Sequence, residues 1–240
     1  MKQTNNLWLV PTPIAAENPT EFTPIFNKEI LETVTFWVVE NAKIFRRFLS
    51  SLGIPSPYNH LTLVEIANKL NEANVEADLQ IIWNAFKDGK DVGLVSDAGC
   101  PGIADPGNIV VKKAHELGVS VMPLTGASSI FLALMASGLN GQQFSFHGYL
   151  PIKPAQLKKR LQFLEQDSQS SNATQIFIET PYRNQSTFKA LITTLKPATK
   201  LCIAYNIYGE TQQITTKTIG LWQRNEFAFE KYPCVFLFMA

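Results

Sequence analysis

The sequence predicts an α/β protein of two domains, the first built on a mostly parallel sheet and the second on a mixed sheet. Three observations carry this expectation. Short apolar runs alternate with longer amphipathic stretches through the first half, the pattern of β-α repeats around a parallel sheet. Strand-like runs lie closer together in the second half, which favours partly antiparallel pairing. With 45% hydrophobic residues, 240 residues suffice for one large core or two small ones.

The elements follow in order. LWLV (7–10) reads as a strand, a helical stretch lies near 28–35, TFWVVE (35–40) is a second strand, and NAKIFRRFLSSLG (41–53) is an amphipathic helix. A helix around 76–88 precedes the buried strand VGLVS (92–96), the helix PGNIVVKKAHELG (106–118) ends on glycine, and SVMPL (120–124) is the next strand. SVMPL runs into Thr125-Gly126, which sets the expected domains at 1–123 and 124–240.

The second half opens with a helix in GASSIFLALMASGL (126–139). FSFHGYL (144–150), a Lys-rich helix at 154–166 and the polar stretch QDSQSSN (166–172), expected as a surface loop, come next. TQIFIET (174–180) and KLCIAYN (200–206) read as strands, with a helix from Pro181 to about Leu195 between them. A hairpin-like polar stretch and the apolar run CVFLFMA close the chain.

Charge and cysteine usage narrow the function. Lys and Arg total 21 against 20 Asp and Glu, so a net charge of +1 gives no global attraction to nucleic acid or membrane, and an RNA contact requires a local patch. Cys100, Cys202 and Cys234 have neither zinc-site spacing nor an even count for disulfides, and the three histidines have no partner spacing for a metal. MKQTNNLWLVPTP carries too brief an apolar stretch for a signal peptide, and the run from Ser129 to Leu139 is too short to cross a bilayer. A reduced, soluble, cytoplasmic protein without metal is expected.

VSDAGCPGIADPG (95–107) is the first segment that points to chemistry. A strand ends in Ser96-Asp97 and enters a turn-rich loop leading into a helix, at the edge of the sheet where open α/β proteins bind ligands. Its glycines admit close approach to the backbone, and Pro101 and Pro106 stiffen it. Gly102 and Gly107 have the spacing of a phosphate loop, yet Asn108-Ile109 stand where Lys and Ser or Thr are required, and no G-x-G-x-x-G is present. A tight turn with Asp105 as a helix cap is the bland alternative. LTGASS (124–129) is a second junction of small residues at a helix start, suited to an anionic group or to a plain Ser or Thr cap.

Taken with VPTPIAAENP (10–19), VMPLTGASSIFLALMASGL (121–139), FSFHGYLP (144–151) and IFIETPYR (176–183), the sequence resembles the ribosomal RNA small subunit methyltransferase I family. That family is a branch of the tetrapyrrole-methylase-like, class III S-adenosylmethionine-dependent methyltransferases. The resemblance implies a homodimer of two-domain chains, with S-adenosylmethionine in a cleft between the domains. Its implied activity is methylation of the 2′-hydroxyl of a cytidine in 16S ribosomal RNA. It implies cofactor contacts at Pro11, at Asp97, Ala98, Gly99, Gly102, Ile103 and Asp105, at Thr125, Gly126, Ser128 and Ser129, and at Phe177 and Glu179. Acceptor-side chemistry is expected at Glu40, His147 and Arg183; His147 suits either a proton acceptor or a structural histidine.

The sequence also departs from the family's pattern. Ala15-Ala16 stand where Gly-Asn is usual, Glu40-Asn41-Ala42-Lys43 where Glu-Asp-Thr-Arg is usual, and Thr180-Pro181-Tyr182-Arg183 where Ser-Pro-His-Arg is usual. A Thr-Lys-bearing strand end becomes Asn206-Ile207-Tyr208-Gly209-Glu210. The cofactor loops are thus better kept than the acceptor side, which leaves open another acceptor or a cofactor-binding protein without turnover. Basic clusters at Arg46-Arg47, Lys112-Lys113 and Lys158-Lys159-Arg160 are the candidates for gripping phosphates.

Overall fold

A computed structural model describes residues 5–15, 19–66, 75–225 and 227–240, with the side chains of 75–78 left aside. Ala16 and its neighbours to residue 18, part of the first motif, lie outside the described residues. Contacts divide the chain into two compact units, Met1–Ser128 and Ser129–Ala240. The division falls after Ser128 rather than after Pro123. Segment 124–128 is held by the first unit, where Leu124 N donates to Leu9 O and Asn27 Nδ2 donates to Thr125 O at 2.8 Å.

The first unit holds strands β1 (Asn6–Leu9), β2 (Phe36–Val39), β3 (Thr62–Glu65), β4 (Val92–Val95) and β5 (Ser120–Pro123). They form one sheet in the order β3-β2-β4-β1-β5, every pair parallel. Its helices are α1 (Ile25–Thr33), α2 (Ala42–Ser51), α3 (Val75–Lys87) and α4 (Asn108–Glu116). The sheet is apolar on both faces because helices cover both. Ile30, Leu31, Phe45 and Leu49 of α1 and α2 pack with Trp37 and Val39, whereas Ile82, Phe86, Val110 and Ala114 of α3 and α4 pack with Val38 and Leu94. The connection leaving β1 therefore runs over one face and that leaving β4 over the other, so the carboxyl ends of these neighbouring strands form a topological switch point.

The second unit contains α5 (Ser129–Ser137), β6 (Phe144–Tyr149), α6 (Pro154–Ser171), β7 (Thr174–Glu179), α7 (Asn184–Thr194), β8 (Lys200–Tyr205), β9 (Gln213–Thr218), α8 (Ile219–Trp222) and β10 (Cys234–Met239). Its sheet runs β6-β7-β10-β8-β9, with β6 and β7 parallel and the remaining pairs antiparallel. The mixed sheet is as expected. QDSQSSN is not a loop: α6 continues to Ser171 and ends at Asn172 in the left-handed conformation, φ 55°. Leu157, Leu161, Leu164 and Ser168 keep one face buried at helical spacing, and the fully buried Ser168 donates to Ala173 O and accepts from Ala240 N. β3 and the one-turn α8 are additions to the sequence reading. Among the described residues, no helix is long and apolar enough to cross a membrane.

Candidate active site

The functional geometry of the first unit begins where β1 and β4 end side by side. Beyond β1, Thr12 makes a two-way backbone pair with Gly99, its N donating at 3.0 Å and its O accepting at 3.1 Å. Its hydroxyl donates to Ser96 O at 3.1 Å. The first and second motifs are thereby tied into one floor. The third joins through Cys100, whose Sγ lies 3.4 Å from Ala127 O, and through Gly126, which sits against Pro11. A Cβ at Gly126 would fall 2.2 Å from Pro11 Cβ, so only glycine permits this approach.

The loop between β4 and α4 is built from backbone. Asp105 accepts from Gly102 N at 2.7 Å through one oxygen and from Gly107 N at 2.6 Å through the other. The capping role expected of Asp105 is therefore present as a clasp of the whole turn, while Gly107 takes the helix-cap position. Gly99 and Gly102 stand at φ +82° and +81°, and Ala104 at φ 61°, a conformation that costs a residue with a side chain on the order of 1 kcal/mol. A Cβ at Gly102 would meet nothing within 4 Å. Ala98, Ile103 and Ala104 are exposed, so the loop offers open backbone beside a strained turn.

The carboxyl ends of β2, β3 and β4 add three acids. Asp97 N donates to Glu40 Oε2 at 2.5 Å, and the Asn41 amide donates in return to the Asp97 carboxylate. Glu65 Oε1 accepts from Ala42 N, and Asn41 Oδ1 from Lys43 N and Ile44 N, so both cap the start of α2. Asn41 thus supplies the N-cap of α2. Burial, followed by the charge of Glu40, pushes the Asp97 carboxyl from 3.8 up to about 6; Glu65 adds to the rise and the Asn41 amide opposes it. Burial likewise raises the Asp105 carboxyl, against its two amide donors.

Glu40, Asn41 and Asp97 border a cavity of about 320 Å³. Pro13, Ile14, Val39, Phe45 and Phe48 give it apolar walls, and Thr12, Glu40, Arg47 and Asp97 bring polar atoms to it. It has the size and mixed lining of a small-molecule site. Of the three basic clusters, Arg47 reaches this cavity, Lys113 pairs with Glu116 at 2.8 Å, and Arg160 is engaged within the second unit.

In the second unit the expected residues are tied into structure. Phe177 is fully buried, its ring stacked 5.4 Å from Phe236, so its side chain belongs to the core. Glu179 is buried and accepts from Thr180 N at 2.8 Å, from Thr187 Oγ1 at 2.9 Å and from Arg183 at 3.1 Å. Arg183 also reaches Pro151 O at 3.5 Å. His147 Nδ1 accepts from Arg160 at 3.2 Å, which leaves the proton on Nε2 to donate to Gln175 Oε1 at 2.6 Å; Gln175 Nε2 then donates to Asp167. His147 is thus engaged on both ring nitrogens, and burial lowers its pKa, with the Arg160 charge adding to this against the Gln175 bond. Asp167 belongs to the part of α6 expected as a loop, which hid the network from sequence reading. Ser129 is the first residue of α5, next to Ser128 at the end of the first unit. Among the described residues no group of three or more His, Cys, Asp or Glu can hold a metal ion.

The family model for tetrapyrrole (corrin/porphyrin) methylases matches residues 28–221. A solved structure titled as that of the methyltransferase CobJ superposes with a TM-score of 0.61 over 98% of this chain and 94% of that one, at 18% identity, and shares the fold. The class is that of methyltransferases built on the tetrapyrrole methylase fold. Ribosomal RNA small subunit methyltransferase I of Buchnera aphidicola subsp. Schizaphis graminum is 31% identical over 214 residues, 89% of this chain and 70% of that protein. The Haemophilus influenzae protein of that name is 30% identical over 219 residues, 90% and 71% of the two chains. Its Bacillus subtilis counterpart is 35% identical over 185 residues, 77% of this chain and 58% of its own length. The chain belongs to the ribosomal RNA small subunit methyltransferase I family.

Proposed function

We propose that the protein transfers a methyl group from S-adenosylmethionine to small-subunit ribosomal RNA, at the 2′-hydroxyl of a cytidine. The observation that carries this reading is the convergence of Pro11-Thr12, Asp97–Gly107 and Thr125–Ala127 on the switch point of the first sheet. The donor set fits the cofactor. Open backbone at Ala98, Ile103 and Ala104 suits its polar edges, and the Asp97 carboxylate suits its cationic sulfonium.

When bound, the cofactor supplies an electrophilic methyl group. The chain's own part is mostly positioning: Asp105 fixes the loop, Gly126 lets the third motif close on Pro11, and Thr12 locks the first motif to the second. A ribose hydroxyl is a weak nucleophile until its proton is accepted. Glu40, on the wall of the cavity and bonded to the Asp97 amide, is the residue we assign to that task. A homodimer acting in the cytoplasm completes the reading.

Labelled methyl transfer from S-adenosylmethionine to small ribosomal subunits lacking the modification tests it. The expected outcome is incorporation into 16S RNA with the label recovered after alkaline hydrolysis in a resistant dinucleotide, because a 2′-O-methyl group removes the hydroxyl that attacks the neighbouring phosphodiester. Label in mononucleotides would place the methyl on a base. Saturating cofactor binding with no incorporation would sink the proposal.

A further inference from the structure

The cavity of the first unit is polarised along helix α2. Ile44, Arg47, Phe48 and Ser51 line it at the i, i+3, i+4, i+7 spacing of one helical face, so α2 runs along the cavity, with Glu40 and Asn41 at one end and Ser51 at the other. The acids stand at one end only. Glu40 and Asp97 line the cavity where β2 and β4 finish, whereas from Asn41 to Val64 the chain has no Asp or Glu. Over the same stretch Lys43, Arg46 and Arg47 give α2 three positive charges.

Among the described residues, Arg47 is the one cation that lines the cavity. It is exposed, and its guanidinium has no ion-pair or hydrogen-bond partner among them. Lys113, Arg160 and Arg183, by contrast, are each engaged with a neighbour. An arginine left open on a cavity wall is a ready two-pronged donor for a phosphate. The distance also fits. Arg47 lies six residues beyond Asn41, about 9 Å along the helix axis, and its Cβ tilts back towards the start of α2. One nucleotide spans that interval: with its 2′-hydroxyl at Glu40, a phosphate beside the same ribose falls towards Arg47, and the base meets the apolar walls at Pro13, Ile14 and Phe48. The cofactor's carboxylate is the other anion at hand.

We infer that Arg47 binds a phosphate of the acceptor nucleotide and so seats that nucleotide, turned out of its stack, in the cavity with its ribose at Glu40. The inference rests on the ribosomal RNA reading and adds to it the residue that positions the acceptor. Arg46, its neighbour on α2, does not line the cavity and has no part in the contact.

Equilibrium dialysis of labelled cytidine 3′,5′-bisphosphate and of cytidine against the full chain tests it without turnover. The parent should bind the bisphosphate roughly tenfold more tightly than the nucleoside, the scale of a charge-assisted contact. Arg47→Ala should abolish that preference and Arg46→Ala should keep it, while the Tm of Arg47→Ala stays at the parent value because the side chain is exposed and unpartnered. With small ribosomal subunits, Arg47→Ala should raise the RNA KM far more than it lowers kcat, and should reduce the salt dependence of binding by about one phosphate contact. Equal affinity of the parent for the two ligands, or a preference that survives Arg47→Ala, would overturn the assignment. So would a fall in calorimetric affinity for S-adenosylmethionine in Arg47→Ala, which would give the residue to the cofactor's carboxylate. The two proposals fail separately. An Arg47-dependent preference for the bisphosphate without methyl transfer keeps the phosphate contact and removes the activity, and methyl transfer with an RNA KM untouched by Arg47→Ala does the reverse.

Discussion

The ends of β4 and β7 follow the same local plan and reach opposite results. Each strand ends near an acid, passes through a proline-bearing turn and enters a helix. After β7, Glu179 is buried and consumed by Thr180, Arg183 and Thr187, and the turn is a single tight one at Pro181–Arg183. After β4, Asp97 stays exposed beside Glu40, its carboxyl raised, and Ser96 to Gly107 make an open loop held by Asp105. An acid at a strand end is therefore available to a ligand only where the surrounding donors leave it accessible.

That contrast sets out its own tests, and the largest effect is expected after β7. Glu179→Ala removes the partner of the half-buried Arg183 and the acceptor of Thr187, and should cost about 3 kcal/mol in chemical denaturation, the scale of breaking a buried pair. Marginal destabilisation there would mean that the acid is free for a ligand after all.

Gly126→Ala comes next. Its Cβ would overlap Pro11 and drive the third motif off the first, for about 1–3 kcal/mol of stability, with a weaker S-adenosylmethionine affinity read by calorimetry. Asp105→Ala should cost about 1–2 kcal/mol by stranding the Gly102 and Gly107 amides.

The smallest effect is a matter of pH. Because the folded-state pKa of Asp97 is raised, the unfolded chain ionises first as pH rises, and stability falls between 3.8 and about 6. Below that window both states are protonated and nothing is lost. Asp97→Asn should flatten the slope of Tm against pH there and be the more stable form above it. A slope of the opposite sign would contradict the electrostatics assigned to the loop.

The same contrast explains what could be read from the sequence. The β-α alternation and the loop at 95–107 were legible because glycine, proline and strand-end polar residues act locally. That Glu40 sits beside Asp97 was not derivable from spacing, since 57 residues separate them and the parallel pairing of β2 with β4 brings them together. His147 was ambiguous for a like reason: its partners Arg160, Gln175 and, beyond it, Asp167 come from α6 and β7. The run QDSQSSN misled because a buried serine looks like a loop residue when its hydrogen bonds to Ala173 and Ala240 are unseen.

Calorimetric binding of S-adenosylhomocysteine to two variants tests the central claim most directly, that the cofactor is held by the backbone loops of the first unit. Asp105→Ala should lose affinity about tenfold while His147→Gln stays near the parent value, the scale of one charge-assisted hydrogen-bond set. Parent-like affinity in Asp105→Ala with loss in His147→Gln would contradict it.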